Sequence, residues 1–138
     1  MNRKIISVLL CLLMAFTCGS LASKVLAAPV GPISVNWISV NNCGVELSIN
    51  GAKAECMVKV KPRPSVKKIS GNLRLDYVDV NGTIKNIASW KIDSTGTVGS
   101  RYFANIPDYG MYQLSFSGTT YMADGSTESI SASTTKIK

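Results

Sequence analysis

The sequence predicts an all-β domain of about seven antiparallel strands, stacked as a two-sheet sandwich. Three observations predict it: apolar residues recur every second position along most of the chain, turn dipeptides fall where those runs stop, and no window carries sustained helical spacing. From Ala52 to Val60 the even positions Ala52, Ala54, Cys56, Val58 and Val60 are apolar or small, while Lys53, Glu55, Met57, Lys59 and Lys61 alternate with them. That is the pattern of a strand with one face on a core and one in water. Ile69, Gly71, Leu73, Leu75 and Tyr77 repeat it, followed by Ile84, Ala88, Trp90 and Ile92, then Val98, Tyr102, Ala104 and Ile106, then Tyr112, Leu114 and Phe116. The last strand is the weakest, with Ile130 and Ala132 set among Ser and Thr, and one or two strands precede Asn50.

Asn50-Gly51 and Asn81-Gly82 read as tight hairpin turns whose central residues take positive φ. Asp93-Ser94-Thr95-Gly96 and Ala123-Asp124-Gly125-Ser126 mark two more reversals. Pro62-Arg63-Pro64 and Ile106-Pro107 stop ladders that would otherwise run on.

The N-terminal stretch has a different character. Asn2, Arg3 and Lys4 form a cationic start, Ile5 to Phe16 an apolar run broken only by Ser7, and Val25-Leu26-Ala27 a small-residue end. This reads as a signal-peptide helix over residues 1–27, cleaved after Ala27, with residues 28–138 as one exported domain. The apolar run is shorter than the roughly 17 to 25 residues that cross a bilayer, so no stable membrane anchor is expected after cleavage. Arg3, Lys4 and Lys24 leave with the leader, which lowers the net charge from +7 to +4. About 110 residues remain, a common size for one domain with one core. The expected location is extracellular.

Cys11 and Cys18 fall in the leader, while Cys43 and Cys56 remain as an even pair in an oxidising compartment, where a disulfide is the expectation and two buried thiols the alternative. Closing that loop would restrict the unfolded chain by roughly 3 kcal/mol. A two-residue Asn50-Gly51 turn sets Cys43 opposite Val58 and Val45 opposite Cys56. The cysteines are then diagonal neighbours, roughly 7 to 8 Å apart. That is slightly beyond disulfide reach, so the bridge requires a bulge or break around Asn41 to Gly44.

Asp108-Tyr109-Gly110-Met111-Tyr112-Gln113-Leu114 resembles the tyrosine corner of immunoglobulin-like domains, which implies an immunoglobulin-like sandwich. In that resemblance Asp108, Gly110 and Tyr112 are the structural corner, and Tyr112 bonds back to the preceding loop. More broadly, the mature sequence is similar to a family of small secreted proteins of clostridial and related Gram-positive bacteria. The similarity rests on Trp37, Gly51-Ala52-Lys53-Ala54-Glu55-Cys56, Leu73 to Gly82, Trp90, Gly110-Met111-Tyr112, and Asp124-Gly125 before Glu128. These motifs are structural, and the resemblance implies a fold and a compartment but no activity. Cys43 has no place in that pattern.

An enzyme is not expected. The chain has no His, no nucleophile-elbow or Ser-x-x-Lys motif, and its turn aspartates Asp93, Asp108 and Asp124 read as backbone caps. Asp76 and Asp79 fall on opposite faces of a regular strand, and Asp79 abuts a turn. No cofactor or metal is expected. Lys59, Lys61, Arg63, Lys67 and Lys68 are the one concentrated surface signal, a candidate anion-binding patch that a hairpin would gather at one tip. It fits an anionic cell-wall polymer, a glycan or a protein partner, and lacks the interleaved aromatics that would favour nucleic acid. Trp37, Trp90, Tyr112 and Phe116 read as core, and Tyr109, Tyr121 and Met122 as turn-bordering side chains open to contact. The leading functional expectation is a secreted, non-catalytic module that binds a cell-surface component or an extracellular partner. The alternative is a small cationic effector or antimicrobial-like polypeptide.

Overall fold

Asn50 and Lys53 face one another across the first reversal, with Gly51 at φ 58 and no non-glycine residue at positive φ among the described residues. Only the first central position of this turn is left-handed, which is the requirement of a Gly-first hairpin rather than of an Asn-Gly one. The computed structural model describes residues 36–138, and the leader and cleavage site read from the sequence lie outside the described residues. Seven strands follow: β1 (Val40–Asn50), β2 (Lys53–Pro62), β3 (Val66–Val78), β4 (Ile84–Ser94), β5 (Val98–Asn105), β6 (Met111–Met122) and β7 (Thr127–Ile137). All pairings are antiparallel, in one sheet of order β1-β2-β5 and a second of order β4-β3-β6-β7. The fold is an all-β sandwich.

The alternation seen in the sequence builds its core. Ala54, Cys56, Val58 and Val60 of β2 are fully buried, and they share one cluster with Ile69, Leu73 and Leu75 of β3, Tyr112, Leu114 and Phe116 of β6, and Ile130 of β7. Burying a side chain of this size contributes about 1.5–3 kcal/mol. Trp90 of β4 stacks on Tyr102 of β5, with centroids 5.0 Å apart and planes 21° apart, and so ties the two sheets along one side. Trp37 and Trp90 pack against the core without being enclosed by it.

Phe116 is accommodated by two glycines that oppose each other, Gly71 on β3 and Gly118 on β6. A Cβ on Gly71 would lie 2.6 Å from the Ser117 carbonyl oxygen and 2.9 Å from the Phe116 ring, and one on Gly118 would lie 2.8 Å from the same ring. The ring occupies the space that two side chains would otherwise fill.

The hairpin register overturns the expected disulfide. Pairing Asn50 with Lys53 slides β2 by two residues relative to the predicted register, so Cys43 faces Val60 and Cys56 faces Leu47. The cysteines are four residues apart along the ladder, roughly 13 Å at about 3.3 Å per residue, and a disulfide needs Cα atoms within about 7 Å. Both are free thiols, Cys56 buried and Cys43 half-buried. The expected bulge does exist, between Val40 and Asn42, but it adjusts the start of β1 and does not close that gap.

Candidate functional site

Two tyrosine hydroxyls close the loop that leads into β6. Ile106 is fully buried and ends β5 with its amide on the Ala52 carbonyl, and the chain then turns through Pro107 and Asp108 into β6. Tyr112 is fully buried and donates its hydroxyl to the Asp108 carbonyl at 2.9 Å. Burial raises its pKa above the ordinary tyrosine value, with the Asp108 charge adding to the effect. Tyr77 completes the corner. Its hydroxyl donates to the Tyr109 carbonyl at 3.2 Å, and its ring lies 5.3 Å from that of Tyr112. Gly110 sits against it at φ 151, where a Cβ would lie 2.5 Å from the Tyr77 ring. Alternation alone had placed Tyr77 inward, but nothing local indicated that its hydroxyl would brace the corner.

The five basic residues are not gathered at a hairpin tip. β2 and β3 belong to different sheets, so the Pro62-to-Val66 segment is a crossover between layers, with the Arg63 amide on the Ser39 carbonyl and the Val66 amide on the Arg63 carbonyl. Lys59 faces out from the first sheet and pairs with Glu46 at 2.8 Å. Lys68 faces out from the second, 3.7 Å from Asp93 and 6.0 Å from the Tyr121 ring centroid. Lys61, Arg63 and Lys67 are exposed at the crossover and hold no carboxylate within ion-pair distance among the described residues. The patch therefore contracts to those three.

Most carboxylates of the described residues are engaged in structure. Asp79 accepts from the amides of Asn81 at 2.8 Å and Thr83 at 2.9 Å, closing the β3–β4 loop. Asp124 accepts from the Ser126 hydroxyl and amide, which in that order hold its pKa below the ordinary carboxylate value. Asp93 is lowered first by the Ser70 hydroxyl and then by Lys91. Asp76 lies between Arg74 at 2.9 Å and the Asn86 amide at 3.0 Å, and Glu55 pairs with Arg101 at 2.9 Å. Among the described residues, no three His, Cys, Asp or Glu side chains gather as a metal site.

One network escaped sequence reasoning. Glu128, at the start of β7, accepts from the amides of Ile38 at 2.9 Å and Ser39 at 2.7 Å and from the Ser39 hydroxyl. Thr120 donates in turn to Ser39 at 2.8 Å. Ser39 and Thr120 are fully buried, and the Ser39 hydroxyl, ahead of the two amides, lowers the Glu128 pKa. Nearly ninety positions separate these partners, beyond any local pattern.

Beside Phe103, on the outer face of the first sheet, lies an open depression of about 420 Å³ lined by Lys53, Phe103, Ala104 and Asn105. Tyr109 and Tyr121 are exposed near the turns at opposite ends of β6, so they form no common platform.

No protein-family model matches the chain, and no curated protein matches it. Among solved structures it is similar to a family 76 glycoside hydrolase from a bovine Bacteroides thetaiotaomicron strain, at 22% identity and a TM-score of 0.34. That likeness covers 70% of this chain and only 20% of the hydrolase. It carries no argument about fold or activity.

Proposed function

We propose that the protein is an exported, non-catalytic module of the immunoglobulin-like class that holds an anionic component of the cell surface at the β2–β3 end of the sandwich. The observation that carries this reading is the exposure of Lys61, Arg63 and Lys67 around a crossover whose neighbouring carboxylates, Asp93, Asp124 and Glu128, are bonded elsewhere. None of the three forms an ion pair among the described residues, and Arg63 adds only the smallest of the effects on the Glu128 pKa, so their donors can meet phosphate, sulfate or carboxylate groups of a polymer. The immunoglobulin-like assignment is supported by the Tyr112 corner and by two sheets that divide β1, β2 and β5 from β3, β6 and β7. Here β4 pairs beside β3 instead of joining the first sheet. Export is supported by the leader pattern of residues 1–27, and the resemblance to small secreted clostridial proteins points the same way.

The test is a pull-down of the chain from Ala28 onward with isolated Gram-positive cell walls across a salt titration. Binding is expected to weaken steeply with salt and to drop in a Lys61→Gln, Arg63→Gln, Lys67→Gln triple variant. Absent or salt-insensitive binding rejects the proposal.

A further inference from the structure

The opposite end of the sandwich has a different chemistry. Ile84, Val78, Met111 and Ile137 are successive cross-strand partners in the terminal row of the second sheet, spanning β4, β3, β6 and β7. Val78 is half-buried, and the other three are among the large apolar side chains open to solvent. Two more project beyond the row from separate loops: Val80, fully exposed in the β3–β4 loop, and Tyr109, 82% exposed in the β5–β6 loop. Among the described residues, five of the eight exposed large hydrophobics thus converge on one end of the sandwich. Scattered exposure needs no explanation, but convergence of this kind marks a contact surface.

Lysines stand at the same end on the other face of that sheet, where Lys85 is the cross-strand partner of Tyr77 and Lys136 of Tyr112. Lys85 follows Ile84, and Lys136 and Lys138 flank Ile137. The Lys138 ammonium donates to the Ile106 and Pro107 carbonyls at 2.6 and 2.8 Å and stands 5.0 Å from the Tyr109 ring centroid. Lys53 opens β2 at the same end. The acidic groups of these loops are Asp79, whose carboxylate is turned back onto its own loop amides, and Asp108.

We propose that this end docks on an anionic phospholipid surface, with Val80, Tyr109 and Ile137 entering the headgroup boundary and Lys85, Lys136 and Lys53 reaching lipid phosphates. Apolar points at the tip of the sheet, with long-stemmed cations on the other face of the same tip, suit an interface that is apolar below and anionic above. A tyrosine with an apolar ring and a polar tip suits the same depth. A second copy of the chain fits less well, because joining two such ends would set lysines against lysines. This surface is separate from the Lys61–Lys67 crossover, so either proposal can fail alone.

The test uses the chain from Ala28 onward, which contains every strand of the core. It is sedimented with vesicles of phosphatidylcholine alone and of phosphatidylcholine mixed with phosphatidylglycerol. Binding is expected on the mixed vesicles, weaker in high salt and much weaker on phosphatidylcholine alone. Val80→Asp changes a side chain outside the core and is expected to weaken binding about tenfold or more, the effect of burying one valine. Lys85→Gln with Lys136→Gln is expected to remove the preference for the anionic lipid, while Ile38→Ser, exposed at the far end of the sandwich beside the β2–β3 crossover, leaves binding unchanged. No binding to either vesicle, equal binding to both, or a Val80→Asp variant that binds like the parent overturns the proposal. So does a concentration-dependent dimer in ultracentrifugation that Val80→Asp abolishes, since that would assign this end to a second copy.

Discussion

Tyr112 shows how one hydroxyl fixes a loop. Its ring is fully buried and its proton goes to the Asp108 carbonyl, so Tyr112→Phe keeps the packing and deletes one bond. The expected loss is about 1–2 kcal/mol, because the carbonyl partner is left unpaired next to the core. For a domain of this size that lowers Tm by roughly 4–8 °C per kcal/mol. Tyr77→Phe removes a longer and more exposed bond and is expected to cost less, so equal costs in thermal melts would contradict the assignment of Tyr112 as the principal brace. The cysteines give a second residue-scale prediction. Burial pushes both thiols up to about 11, with the Glu55 charge adding to the effect at Cys56, so little thiolate exists near neutral pH. Alkylation followed by mass measurement should find no disulfide, and Cys56 should react only when the chain is unfolded. A native protein lighter by the two protons of a bridge would overturn the register.

At the scale of elements, what was legible in the sequence was whatever a strand carries within itself. Period-two alternation located β2, β3, β5 and β6 because each buries one face, and Ile130 marked β7 although Ser and Thr surround it. In β4 it held from Ala88 to Ile92, but a bulge at Ile87 brings that side chain against the core and turns Ile84 out, against its expected inward place. Relations between strands were not legible. Asn50-Gly51 suggested one register, but Gly51 takes the first central position of the turn, and a two-residue slide keeps every side chain on its expected face while separating Cys43 from Cys56. Alternation is blind to such a slide because its period is two. The β2–β3 crossover was read as a hairpin for a similar reason, since Pro-Arg-Pro ends a strand without stating which sheet the next one joins. Gly71 fitted the inward alternation as a small residue, yet its role appears only when β6 lies beside β3. Gly71→Ala should destabilise by about 1–3 kcal/mol, since the added methyl meets backbone as well as the Phe116 ring and the strand cannot yield freely. Guanidinium unfolding checks this, and a neutral or stabilising outcome would mean that the two strands part there at little cost.

For the whole molecule, the titrating groups predict a stability dome whose two limbs have different owners. Glu128 is lowered from its ordinary 4.5 by the Ser39 hydroxyl and by the amides of Ile38 and Ser39, and Asp93 and Asp124 are lowered by their serine and lysine partners. In the acid range the unfolded chain therefore binds more protons than the native one, so stability rises with pH there and is lost as pH falls below the ordinary carboxylate values. Cys43 and Cys56 act with the opposite sign. Their native values of about 11 exceed the ordinary 9.0, so above pH 9 the unfolded chain sheds protons first and stability declines as pH rises. Tyr112, raised by burial, extends that decline beyond its ordinary 10.0. Urea melts across the pH range should show a plateau between the limbs. Glu128→Gln should flatten the acid limb and free the segment ahead of β1, seen as faster hydrogen exchange at the Ile38 and Ser39 amides. A Cys43→Ala, Cys56→Ala pair should flatten the alkaline limb at its onset, before Tyr112 titrates, and leave the acid limb as it was. If that pair left the onset unchanged, the thiols would not be the buried groups that this packing requires.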